Sequence, residues 1–208
     1  MRLSTPQWLN AETWHLPLPT DEQLQERSCG VHRGSIEDVD AEFPELVPHI
    51  LEAIASYRLD DYEYDVKVHM LFKGMYPCIP NWHCDNVPRP GGSLDYSAIN
   101  RSTPPMLLWV SGAPTTRFLF HEEALAHYPV SHGHLDEIIR LGDFPSFSIK
   151  PKSWYAMWQD TPHRGTAATE SGWRIFIRAT PKEIASERHV VSKTRRHSQV
   201  YLPHDFHW

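Results

Sequence analysis

His83, Asp85 and His163 are the side chains of this chain whose types and spacing best suit a metal ion. Two imidazoles and one carboxylate make the facial set that holds Fe(II) while leaving neighbouring coordination positions open for a co-substrate and O₂. His83-Cys84-Asp85 supplies two of the three if it lies on a strand, because side chains at i and i+2 project from one face. Cys84 then points the other way, as a small packed thiol. Such a pair is weak evidence alone in a chain with 14 histidines and 26 acidic residues, and His121-Glu122-Glu123 and His134-Leu135-Asp136 offer the same pattern. The elements that would carry each pair have to decide between them.

Residues 1–37 are punctuated by proline and read as irregular. In residues 43–58, Leu46, Val47, Ile50, Leu51, Ile54 and Ala55 recur at helical spacing and predict a helix. Val66, Val68, Met70 and Phe72 alternate with Lys67, His69 and Lys73, which predicts a half-buried strand with the lysines in solvent. MLLWVSG and TTRFLFHEE read as two strands around a turn at Gly112–Pro114, and HLDEIIRLGD as an inserted amphipathic helix. FSIK, SWYAMW and GWRIFIRAT are three further strands. Eighteen prolines and eight tryptophans against ten glycines suit stiff loops around a β core, since proline is excluded from central strands. About eight short strands between residues 64 and 180 predict a mainly β domain with flanking helices, an antiparallel sandwich, jelly roll or barrel, of which the cupin-like jelly roll is favoured. The expected organisation is one domain over 1–208: an N-terminal extension to about residue 60, a double-stranded β-helix over 64–180 and a tail over 181–208.

In a double-stranded β-helix the paired ligands lie near the second strand and the lone histidine near the seventh, so four strands intervene. MLLWVS, TTRFLF, FSIK and SWYAMW separate Asp85 from His163. His134 and Asp136 sit in a helical pattern with two strands before His163, and His121/Glu123 falls short as well. With NWHCDN upstream and PHRGTAATESGWRIFIRAT downstream, the chain resembles the Fe(II)/2-oxoglutarate-dependent oxygenases, whose signature is His-x-Asp, a distal histidine and an arginine, here with a spacing similar to phytanoyl-CoA hydroxylase-like members. The resemblance covers residues 64–180 and rests on these few positions. It implies Fe(II) held by His83, Asp85 and His163, and 2-oxoglutarate and O₂ as co-substrates. It implies oxidative decarboxylation to succinate and CO₂ coupled to oxidation of a substrate. It also implies an arginine on the last core strand that pairs with the far carboxylate of 2-oxoglutarate. Arg174 is favoured and Arg178 is the alternative or helper. Both share a strand face, and a guanidinium buried among Trp173, Ile175, Phe176 and Ile177 needs an anionic partner.

Further expectations attach to neighbours. Asp160 is a candidate to orient a ligand imidazole. Asn81, Trp82, Asn86 and Arg89 would line the mouth, with Arg164 and Thr166 beside the distal ligand. Tyr64, His69, Trp109, Arg117 and Tyr155 are placed by their strands as pocket-liners. The loops 86–105 and 121–144 would select the substrate.

The formal charge of −6 provides no global field for phosphate backbones, so a small-molecule substrate leads, with a nucleotide or protein substrate kept open. Three cysteines without a paired framework, no signal-like apolar segment and no membrane-length apolar run point to a cytoplasmic, non-membrane protein. A cupin-like metalloenzyme that does not use 2-oxoglutarate and a non-catalytic jelly-roll binding protein are the rival readings.

Overall fold

The computed structural model describes residues 1–9, 16–26, 30–185, 194–195 and 200–202, so the predicted tail lies largely outside the described residues. The strands are β1 (Arg2–Leu3), β2 (Gln7–Leu9), β3 (Gly30–Gly34), β4 (Tyr62–Leu71), β5 (Met106–Val110), β6 (Thr116–Leu119), β7 (Glu123–Ala124), β8 (Ser146–Ser148), β9 (Trp154–Met157), β10 (His163–Gly165), β11 (Gly172–Pro181) and β12 (Thr194–Arg195). Four α-helices accompany them: α1 (Asp21–Glu26), α2 (Ile36–Glu42), α3 (Val47–Ala53) and α4 (His132–Leu141).

The protein is mainly β, built on antiparallel sheets. A seven-stranded sheet has the order β12-β3-β4-β11-β5-β9-β2 and a three-stranded sheet the order β10-β6-β8, while β1 and β7 form a separate ribbon. The segment around His83 joins the free edge of the small sheet at β10. His83 donates its N–H to the His163 carbonyl at 3.0 Å and accepts from the His163 N–H at 2.9 Å. That single bridge fixes the two histidines side by side.

Layering explains the burial. Val66, Val68, Leu107, Trp109, Ile175 and Ile177 face a core closed by Val39, Phe43, Leu46 and Ile50 from the helical side. The alternate positions, Met106, Leu108, Val110, Tyr155 and Met157, meet Phe118 of the small sheet. A third cluster lies outside the small sheet, where Trp82, Cys84 and Leu119 pack on Leu135 and Ile139 of α4. The large sheet is therefore covered on both faces, which corrects the half-buried reading of β4. Its valines face the helices, whereas its lysine face turns into the space between the sheets. Met70 and Phe72, expected in the core, are 37% and 55% exposed at the strand's end.

Two further expectations change. Residues 1–37 are not irregular throughout, since β2 and β3 extend the large sheet on opposite sides. Of the helix expected over 43–58, a 3₁₀ turn at Pro44–Leu46 and α3 at Val47–Ala53 form, while α2 precedes the expected range and ends at Glu42. Proline at 44 has no N–H to continue the α2 ladder and instead opens the next turn. α2 itself starts from Ser35, whose hydroxyl accepts from the Asp38 N–H while Asp38 accepts from the Ser35 N–H, a reciprocal cap. The four counted strands between Asp85 and His163 are β5, β6, β8 and β9, with the two-residue β7 outside both large sheets. Among the described residues no helix is long and apolar enough to cross a membrane.

Candidate metal and carboxylate site

His83 and Asp85 come from the short segment after β4, and His163 opens β10. One ligand atom from each lies within 4.8 Å of the others, and this is the one such grouping of three metal-binding side chains among the described residues. Nε2 of His83 is 3.8 Å from Asp85 Oδ1, Nε2 of His163 is 3.5 Å from Asp85 Oδ2, and the ring centroids are 4.4 Å apart. Both histidines are 5% exposed.

The second ring nitrogen of each histidine settles its tautomer. His83 Nδ1 is 2.8 Å from the Asn81 carbonyl and His163 Nδ1 is 3.1 Å from the Thr161 carbonyl. A carbonyl only accepts, so both Nδ1 atoms carry the proton and both Nε2 lone pairs face the cluster. Burial, together with His163 beside it, pushes the His83 imidazole down to about 3, which keeps it neutral. Burial alone would raise the Asp85 carboxyl, but Arg178 and the two imidazoles outweigh it and hold Asp85 well below the usual carboxylate range. A neutral His83 imidazole and an ionised Asp85 carboxylate are the protonation states that a divalent cation requires of such ligands.

Arg178 and Arg174, alike in the sequence, differ completely in their surroundings. Arg178 Nη1 donates to Asp85 Oδ2 and its Nη2 donates to Asp65 Oδ2 at 2.7 Å. Asp65 in turn receives His32 Nδ1 at 2.7 Å and the Arg33 N–H at 3.3 Å. Arg178 is thus already paired with two carboxylates, one of them Asp85. Arg174 is 1% exposed, and its Nε donates to the Pro114 carbonyl at 2.7 Å. Its Nη1 and Nη2 are buried with no hydrogen-bond partner. Burial pushes this guanidinium down to about 10, so at neutral pH it stays charged. The cavity it lines also includes His83, Asp85, His163, Cys78, Thr116, Phe176 and Lys67 and measures about 130 Å³. That is room for a small organic acid, given that one water needs about 10–15 Å³.

The Asp65–Arg178–Asp85 chain predicts a measurable dependence. Asp65→Asn is expected to weaken divalent-metal binding about 10–100-fold, as loss of a partner that orients a ligand does, and to cost about 3–5 kcal/mol of stability by leaving Arg178 half paired. Calorimetric titration with Mn(II) and denaturant unfolding check the two numbers. Burial would raise the Asp65 carboxyl, but Arg178 and His32 together bring it well below its ordinary value. Its stabilisation is therefore complete above the unfolded value of about 4 and is lost as pH falls below that.

Other expected site residues are distributed differently. Asp160 accepts from Ser4 Oγ at 2.6 Å and pairs with Arg101 at 2.8 Å, so it ties the N-terminal segment down and orients neither imidazole. Asp136 of the rejected His134 pair accepts the Trp82 N–H at 2.8 Å, thereby bracing the segment that carries His83. Cys84 points away into the α4 cluster, as expected. Tyr64 and Trp109 face the helical core and Tyr155 packs between the sheets. Arg117 spends its Nε on Ser146 Oγ, and His69 pairs across from Arg174 in the ladder; none of these five lines the cavity. Arg164 lies over the Trp82 ring at 5.3 Å, and Thr166 donates to the Thr115 carbonyl at 2.8 Å.

The sequence reading missed Asp65, Lys67, Cys78 and Thr116. The signal was present for the first two: Asp65 and Lys67 bracket Val66 in the middle of a strand rich in tyrosine and valine. Tyr201 also reaches the cavity, with its backbone paired to Tyr76 through two 2.9 Å hydrogen bonds, so residues 200–202 of the tail return to the site. Gly165 follows His163 closely, and a Cβ there would meet the Cys78 carbonyl oxygen at 2.7 Å, so the cavity wall at Cys78 depends on a side-chain-free position. No protein-family model matches this chain, and no curated protein sequence matches it.

Proposed function

We propose that this protein is a non-haem Fe(II)- and 2-oxoglutarate-dependent oxygenase acting on a small molecule. The observation that carries the reading is a buried arginine with two unsatisfied N–H groups lining the same small cavity as a His/Asp/His cluster whose Nε2 lone pairs converge. The strand arrangement supports the double-stranded β-helix class. From β4 to β11 in chain order, β4, β5, β9 and β11 lie in the large sheet and the His83 segment, β6, β8 and β10 on the small one, with the His83 segment second and β10 second to last.

His83, Asp85 and His163 would hold the metal through two nitrogens and one oxygen. Bound Fe(II) supplies O₂ activation, coupling decarboxylation of 2-oxoglutarate to oxidation of a substrate. The chain's own residues do the positioning. The Asn81 and Thr161 carbonyls keep the Nδ1 protons in place, and Arg178 neutralises Asp85 and restrains its carboxylate. Arg174 donates two parallel hydrogen bonds to the far carboxylate of the co-substrate. Leu108, Met157 and Ile79 line the cavity with apolar surface, which keeps water from competing with those bonds. A groove formed by Asn86, Arg89, Asn100 and Thr103 of the 86–105 loop, with Gln159 and Glu183, opens beside the ligand segment and is the proposed approach for substrate.

The rival readings fit these groups less well. A metalloenzyme without 2-oxoglutarate leaves the buried Arg174 with no anionic partner for Nη1 and Nη2, at a cost of several kcal/mol. A non-catalytic jelly roll leaves two aligned imidazoles beside a carboxylate with nothing to bind. Aerobic incubation with Fe(II) and 2-oxoglutarate is expected to give slow succinate formation that the His83→Ala/Asp85→Ala variant lacks. A succinate yield unaffected by the double substitution contradicts the proposal.

A further inference from the structure

The face of the small sheet that points away from the cavity carries two arginines side by side. His163 and Thr116 line the cavity and Phe118 packs between the sheets, so the alternate residues of β10 and β6, Arg164 and Arg117, point outward. The register sets these two directly opposite each other, and Arg117 is in turn opposite Ser148 of β8. On the other side, the His83–His163 bridge brings Trp82 alongside Arg164, whose guanidinium carbon lies 5.3 Å from the centre of the indole ring. One row across the outer face therefore reads Trp82, Arg164, Arg117, Ser148.

Like charges set directly across an antiparallel pair repel. Among the described residues neither arginine forms an ion pair, and the Nε of Arg164 is buried without a hydrogen-bond partner. Arg117 donates its Nε to Ser146 Oγ at 2.8 Å and its Nη2 to the Ser146 carbonyl at 3.4 Å, which fixes the plane of the guanidinium and leaves Nη1 over. Asp136 attracts Arg164 from further off, but its carboxylate is already shared by the Trp82 N–H, Asn81 Nδ2 and Arg140. Burial and then Arg117 outweigh the pull of Asp136 and Tyr76 and push the Arg164 guanidinium below its ordinary value. One cation is held flat on an indole and the other is pinned by a serine, so both forks are oriented before any ligand arrives.

We infer that Arg164 and Arg117, with the Ser148 hydroxyl beside them, form a binding site for a phosphate monoester group on the outer face of the small sheet. Planar guanidiniums match phosphate oxygens with paired hydrogen bonds, and two positive charges suit the nearly two negative charges of a monoester. The group lies on the opposite face of the sheet from the cavity, so it is an effector or an anchor and takes no part in chemistry at the metal. The site stands whether or not the oxygenase reading holds.

The test uses the full-length protein treated with chelator, at fixed ionic strength and about pH 7.5, where a monoester is close to doubly charged. Calorimetric titration is expected to show methyl phosphate binding at least about ten-fold tighter than dimethyl phosphate, its singly charged diester counterpart. Arg164→Gln and Arg117→Gln are each expected to weaken methyl phosphate at least about ten-fold, the loss of one or two charge-assisted hydrogen bonds. Arg58→Gln makes the same change in net charge at an exposed position that pairs only with Asp61, and is expected to leave the affinity within about two-fold. Methyl phosphate is also expected to raise the unfolding midpoint of the unsubstituted protein and of Arg58→Gln but of neither site variant. Should Arg164→Gln lose its fold with the Trp82 stack, Arg117→Gln decides alone. Methyl phosphate affinity unchanged in Arg117→Gln overturns the inference, as does binding that Arg174→Met abolishes, which would place the ligand in the cavity. Dimethyl phosphate bound as tightly as methyl phosphate also overturns it, since that is the behaviour of a surface for a diester backbone.

Discussion

His163→Ala and His83→Ala are each expected to lower affinity for Mn(II) or Fe(II) by at least about a hundredfold and to abolish 2-oxoglutarate-dependent succinate formation. An outer partner that merely orients a ligand is worth about 10–100-fold, and these side chains would supply the coordinating atoms themselves. The imidazole variants give a cleaner measurement than any change at Asp85. His83 is neutral in its buried setting, so truncating it removes no charge. Removing the Asp85 carboxylate would strip one of the two anions from Arg178 and destabilise the fold by about 3–5 kcal/mol on its own account. Calorimetric titration of each variant, beside a check of folded structure by circular dichroism, reads the effect. Affinities within about three-fold of the unsubstituted protein would remove these residues from the metal site.

The second large effect has an unusual sign. Arg174→Met is expected to raise the unfolding free energy of the ligand-free protein while weakening 2-oxoglutarate about a hundredfold. Arg174 is fully buried, donates only one of its hydrogen bonds and leaves Nη1 and Nη2 without partners. Replacing such a group by an apolar side chain of similar volume is neutral or stabilising by about 1–4 kcal/mol. The loss in binding corresponds to two charge-assisted hydrogen bonds at roughly 1.5 kcal/mol each. A residue kept for structure alone would show the opposite pattern, with stability falling on substitution. Urea unfolding of the ligand-free protein and titration of the metal-loaded protein with 2-oxoglutarate give the two quantities. Arg178→Met should instead be strongly destabilising, since it orphans Asp65 and Asp85 together.

That contrast shows where sequence reasoning stops. Arg174 and Arg178 share a strand face by parity, and both spacings suit a carboxylate anchor. What separates them is the position of Asp65 on β4 and Asp85 after it, which no local pattern around residue 178 reveals. His83, Asp85 and His163 were legible because strand order constrains them: four apolar stretches lie between the pair and the lone histidine, and the rejected pairs break the count. Lys67 was misplaced because alternation of valine and lysine looks the same whether the lysine face meets water or a polar cavity between two sheets. Only the second sheet, formed by segments 40 to 100 residues further on, decides. The helix expected over 43–58 is present but shorter, as α3 over Val47–Ala53 after a 3₁₀ turn that Pro44 opens, and α2 with its cap at Ser35–Asp38 passed unread. Asp160, expected beside a ligand, is claimed by Ser4 and Arg101 from distant parts of the chain.

Crystallisation under anaerobic conditions with Mn(II) and 2-oxoglutarate tests the central claim most directly. The account predicts the ion on Nε2 of His83, Nε2 of His163 and the Asp85 carboxylate, with the far carboxylate of 2-oxoglutarate on Nη1 and Nη2 of Arg174. An ion bound elsewhere, or a co-substrate that leaves Arg174 without a partner, would contradict it.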